Sequence, residues 1–81
     1  MKVNSSFKNL LLVEREIPNS SFTYIDIYFN DEEVGCIAYS IRQNAIDNVE
    51  ITCLDKKVVD SIRDLIIDQR KELVAWIENI A

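Results

Sequence analysis

The chain has no histidine, one glycine and one proline in 81 residues. Without histidine it lacks the usual general base of serine and cysteine hydrolases and the commonest zinc ligand. Its one glycine, Gly35, cannot form the glycine-rich loop that cradles a phosphate, which excludes nucleotide binding by the familiar loops. Two cysteines, Cys36 and Cys53, are too sparse for the stapled framework of a small secreted domain, so free, buried thiols are expected. Long apolar runs are also missing. Leu10 to Val13 is too brief for the core of a signal peptide, and nothing approaches the ~20 apolar residues that a membrane-spanning helix needs. The expectation is a cytoplasmic protein without a membrane segment, a metal, a cofactor or a small-molecule substrate, and not an enzyme.

Basic residues are scarce as well. Nine Lys and Arg stand against fourteen Asp and Glu, giving a net charge of −5 and a pI near 4.5. Direct binding to a nucleic-acid backbone needs clustered cations that displace counterions, so it is not expected. A protein partner with a basic surface is the ligand that this charge would steer inward.

What is present is the composition of a folded chain: 48% hydrophobic and 28% charged residues. At this length a single domain, residues 1–81, buries only about 60–65% of its extended surface, and self-association into a homodimer would add stability.

The pattern along the chain predicts the order β-β-β-β-α. Phe7 to Glu16 is apolar in its middle and reads as a short strand, with a helix as the alternative. Pro18 and the following Asn-Ser-Ser mark a loop. Ser21 to Phe29 and Val34 to Ile41 are rich in aromatic and β-branched residues, and Asn30 to Glu33 between them carries turn chemistry, so they read as a β-hairpin. Arg42 to Asn48 reads as a polar connection to a fourth strand, Val49 to Leu54. Asp55 has the character of a helix N-cap. After it, Val58, Val59, Ile62, Leu65, Ile66, Leu73, Trp76, Ile77 and Ile80 form one apolar stripe on a single long helix. The expected fold class is α+β, a small four-stranded antiparallel sheet with one C-terminal helix packed on one face.

One helix covers one sheet face and leaves the other open. On the second strand Phe22, Tyr24, Asp26 and Tyr28 point one way while Thr23, Ile25, Ile27 and Phe29 point the other. If the hairpin closes symmetrically about Asp31-Glu32, Tyr24 and Tyr28 share a face with Ile37, Tyr39 and Ile41; a one-residue bulge exchanges those sets. Tyr24, Asp26, Tyr28 and Tyr39 are the partner-binding candidates of the sheet, because tyrosine joins apolar area to a water-tolerant hydroxyl. A structural cross-strand aromatic cluster is the competing explanation.

The helix supplies a second candidate surface. Asp60, Asp64, Asp68 and Glu72 recur every four residues, where like charges are neighbours and repel by roughly 0.2–0.5 kcal/mol per pair. Water screening explains such a ladder if it is simply the solvated side of the helix, with Lys56, Arg63 and Lys71 placed to pair with Asp60 and Asp68 and no such partner for Asp64. The alternative is recognition: four residues rise ~6 Å, close to the phosphate repeat of a nucleic-acid strand. Ile67 and Val74 lie off the core stripe, one above the other, and are expected to be exposed as part of an association surface, with Ile67 a partner-binding candidate, whereas Trp76 is expected in the core.

The reading that joins these features is a small acidic protein-binding module. Compact, motif-free acidic chains of this length look like phage or mobile-element inhibitors that occlude a nucleic-acid-binding host protein. The alternative is a structural subunit of a homo-oligomer, with the uncovered sheet face buried between copies.

Overall fold

A computed structural model describes residues 3–80 of the chain. Five strands precede two helices: β1 (Asn4–Phe7), β2 (Leu10–Arg15), β3 (Phe22–Phe29), β4 (Glu32–Ser40), β5 (Ala45–Ile51), α1 (Lys56–Asp68) and α2 (Arg70–Ile80). The strands form one antiparallel sheet in chain order, so every neighbour is a hairpin partner. The α+β class matches the expectation. The sheet has five strands instead of four, and the single long helix is two.

The additional strand comes from the segment read as one strand from Phe7 to Glu16. Lys8 and Asn9 adopt φ of 44° and 67°, and this two-residue turn sets Phe7 opposite Leu10. Two consecutive left-handed residues give a turn whose twist matches that of the flanking strands. The same device recurs at Asn30 and Asp31, with φ of 50° and 65°, which pair Phe29 with Glu32. Asn19 and Asn44 are also left-handed. In a chain with one glycine, asparagine takes four of these six positions, because its short polar side chain tolerates that region better than most.

Two register shifts decide which side chains face the helices. Between β3 and β4, Tyr28 pairs with Glu33 but Ile27 pairs with Gly35, so Val34 is an extra residue. Beyond it Ile25 stands opposite Ile37, and Thr23 opposite Tyr39. Without Val34 the pairing would continue as Tyr24 with Ile37 and Phe22 with Tyr39, turning two core residues outward. Between β4 and β5, Ala38 pairs with Asn48 but Tyr39 with Ile46, so Asp47 is the second extra residue. It lets Ile46 and Val49, three apart in sequence, both pack against the core. That spacing breaks strand alternation, which is why Ala45 to Asn48 read as a connection.

These shifts correct one site residue. Tyr39 is only 1% exposed and lies in the core with Leu10, Leu12, Ile25, Ile27 and Ile37, so it is not on the open face with Tyr24 and Tyr28. Burial, with a smaller contribution from Glu78, raises its phenol pKa, and its hydroxyl has no hydrogen-bond partner among the described residues.

Asp55 caps α1: its Oδ1 accepts from Lys57 N–H at 2.9 Å. Val58, Ile62 and Leu65 of α1, with Leu73 and Ile77 of α2, supply the buried helix side chains. The break falls at Gln69, whose N–H donates to Asp64 O at 3.2 Å, five residues back instead of four. Leu65 and Leu73 are eight apart, which in a regular helix places them about 80° out of phase. One residue absorbed by the wide turn brings them back onto one stripe. The same turn separates Ile67 from Val74. Ile67 is 72% exposed, as expected, but Val74 is half-buried against the core. Trp76 is half-buried, meeting Phe7 edge to face at a centroid distance of 6.4 Å. Both cysteines are free. No described helix is long and apolar enough to cross a membrane.

Gly35 is needed for close approach. A Cβ placed there would lie 2.6 Å from the backbone oxygen of Glu50 on the neighbouring strand. Gly35→Ala therefore forces β4 and β5 apart beside the Val34 shift. The expected cost is about 1–3 kcal/mol, a fall of several degrees in the thermal midpoint. An unchanged midpoint by circular dichroism would show that the two strands are not this close.

Candidate protein-binding face

The helices occupy one face of the sheet, and the other carries no layer among the described residues. On this open face Tyr24, Asp26 and Tyr28 of β3 stand beside Arg15, Val13 and Leu11 of β2, their pairing partners. Across β4 they meet Ala38, Cys36 and Glu33. Tyr24 and Tyr28 are half-exposed, as are Phe22 and Val13, and Leu11 is 37% exposed. Phe22 and Tyr24 form a tilted ring pair with centroids 6.3 Å apart.

Arg15 organises the centre. Its Nε lies 3.3 Å from Asp26 Oδ2, its Nη2 donates to Cys36 Sγ at 3.5 Å, and its guanidinium sits over the Tyr24 ring at 5.1 Å from the centroid. One cation of β2 thereby fixes an aromatic and a carboxylate of β3 and a thiol of β4. Partial dehydration works against the Arg15 charge, but Asp26 and the Cys36 contact outweigh it and the net pKa shift is upward. Burial pushes the Cys36 thiol pKa up despite the hydrogen bond from Arg15, so this cysteine stays a protonated thiol and a poor nucleophile at neutral pH.

Asp26 is itself only 8% exposed, and its Oδ1 is buried without a hydrogen-bond partner. Expected as a contact residue, it instead lies beneath the surface and holds Arg15 in place. Two shallow clefts flank Arg15. One, of about 370 Å³, runs over Tyr24, Cys36 and Ala38 toward Asn48 and Glu50; the other, of about 390 Å³, lies between Val13, Asp26, Tyr28 and Pro18. Both are open at the surface and suit side chains of a docking protein better than an enclosed small molecule. Among the described residues no group of three or more His, Cys, Asp or Glu is placed to hold a metal ion.

The helix candidates lie on the other layer. Asp60, Asp64 and Asp68 are exposed on α1 and Glu72 is exposed on α2. The wide turn at Gln69 breaks their spacing, so Glu72 departs from the line of the other three. Asp64 has the partner that helix spacing did not offer: Lys8 Nζ, from the β1–β2 turn, lies 3.5 Å from its Oδ2. Both side chains are near half exposure, so this pair adds little stability, but it places a cation within the ladder.

Arg15, Phe22 and Cys36 were not among the sequence candidates. Arg15 lies at the end of β2 and meets Tyr24 only through the β2–β3 register, a nonlocal pairing with no sequence motif.

Removing Arg15 leaves the Asp26 carboxylate shielded from water without its cation. Arg15→Met is expected to destabilise by about 1–3 kcal/mol, and adding Asp26→Asn to recover part of the loss. Chemical denaturation of the two single variants and the double variant measures the coupling; strict additivity would mean the pair does not hold this face together. Comparison with protein-family models finds no match, and comparison with curated proteins and with solved structures finds none either.

Proposed function

We propose that this chain is a non-enzymatic protein-binding module whose open sheet face docks a protein partner with a basic surface. The observation that carries this reading is the uncovered face bearing Phe22, Tyr24 and Tyr28 around an Arg15 held by Asp26. Rigid aromatic groups lose little conformational entropy on contact, and tyrosine with arginine is the composition of binding hot spots. The strand backbone positions all three, and the Arg15 contact holds Tyr24, before any partner arrives, which lowers the cost of association.

Charge sets the kind of partner. The chain carries −5 overall, and Glu33 and Glu50 border the cleft beside Tyr24. A basic surface is drawn in by that field, and a nucleic-acid-binding protein is the natural class of target. Asp60, Asp64 and Asp68 extend the acidic field on the helix layer and contribute to the approach of the partner more than to its retention.

The test is affinity capture from cell extract at physiological salt, comparing the wild type with Tyr24→Asp/Tyr28→Asp and with Asp64→Lys/Asp68→Lys. The aromatic variant is expected to lose the captured protein by at least ~30-fold in affinity, since hot-spot removal costs about 2 kcal/mol or more. The helix variant is expected to lower the association rate and its salt dependence. Equal capture by the folded aromatic variant would remove the sheet face from the function, and its conversion from oligomer to monomer would instead support burial of that face between copies.

A further inference from the structure

The outward side of α2 carries a pattern that the sheet-face reading does not use. Arg70, Lys71, Val74, Ala75, Glu78 and Asn79 line an open groove of about 670 Å³ on this helix. All are exposed except the half-buried Val74, and none of the side chains has a hydrogen bond or ion pair among those described. Their order along the helix is self-complementary. Turning the helix end over end about a point between Val74 and Ala75 superposes position 71 on 78, 70 on 79, and 74 on 75. The two cations at the N-terminal end of the groove therefore fall opposite the anion and the amide at the C-terminal end.

We propose that this groove binds a second copy of the chain, α2 against α2 and antiparallel about a two-fold axis. In that arrangement Lys71 of each copy meets Glu78 of the other, Arg70 meets Asn79, and Val74 packs on Ala75 at the axis. A two-fold interface uses one patch twice, so it requires a patch that complements itself. The small Ala75 permits close approach of the helix backbones, and the antiparallel direction opposes the helix dipoles favourably.

The sheet edges offer poorer routes to self-association. β1 has four residues, and β5 carries the irregularity at Asp47; short and bulged edges disfavour edge-to-edge pairing. An eleven-residue helix is only ~16 Å long, so the interface falls below the standard size and gives a dimer of micromolar or weaker affinity. The interface lies on the helix layer, so both open sheet faces remain available and the dimer presents two docking surfaces.

Sedimentation equilibrium of the full chain from micromolar to millimolar concentration tests this. The wild type is expected to be a monomer at the low end and a dimer at the high end. Lys71→Glu alone and Glu78→Lys alone each place like charges opposite one another twice, and each is expected to weaken dimerisation by tenfold or more. An equimolar mixture of those two variants restores both pairs, as does the double swap Lys71→Glu/Glu78→Lys, and both are expected to dimerise as the wild type does. Tyr28→Asp is expected to leave the dimer unchanged. A wild type monomeric at millimolar concentration would overturn the proposal. So would a dimer indifferent to the single charge reversals, or one dissociated by Tyr28→Asp. Circular dichroism melts of these exposed-site variants confirm that each is folded.

Discussion

The structure depends on where two strands each carry one residue too many. In an antiparallel sheet the side-chain period is two, so a shift of one residue turns every later side chain to the opposite face. Val34 applies that shift to β4 and Asp47 applies it to β5. Together they direct Ile37, Tyr39, Ile46 and Val49 toward the helices while Tyr24, Asp26 and Tyr28 remain on the open side. Packing of the core and composition of the outer face are therefore consequences of one constraint. Gly35 sits beside the first shift because the backbone of β5 comes too close there for any Cβ.

The two layers carry different kinds of polar group. Below the outer face, one nearly buried carboxylate, Asp26, holds one half-exposed cation, Arg15. A charge so shielded is costly unless paired, and the pairing gives Arg15 a fixed place over Tyr24. On the helix layer the charges are exposed and loosely paired, as with Lys8 and Asp64, and their effect is a field more than a set of contacts. An aromatic surface on one side and a diffuse acidic surface on the other is the arrangement on which the proposed recruitment by charge and retention by contact rests.

Much of this architecture was legible in the sequence because it is local. The Asp55 cap, the hairpin around Asn30, the apolar stripe of the helices and the α+β class each follow from neighbouring residues. What escaped was set by pairing or by an absorbed residue. Lys8 and Asn9 form a turn inside an apparently continuous strand, with asparagine as the one faint signal. Ile46 and Val49 do not alternate until Asp47 is counted as extra. Leu65 and Leu73 look like one regular stripe, yet they need a wide turn at Gln69 to align. Tyr39 was misplaced by the same kind of error, since either hairpin register was compatible with the sequence. Arg15 was missed because only the β2–β3 register brings it to Tyr24.

The register of β3 and β4 is the claim on which the outer face, the core and the proposed function all rest. Nitration of the folded chain with tetranitromethane, read residue by residue by mass spectrometry, tests it most directly. Tyr24 and Tyr28, which are half-exposed, should be modified promptly, and Tyr39, which is 1% exposed, only after denaturant is added. Modification of Tyr39 in the native protein at the rate of the other two would place it on the open face and contradict the account.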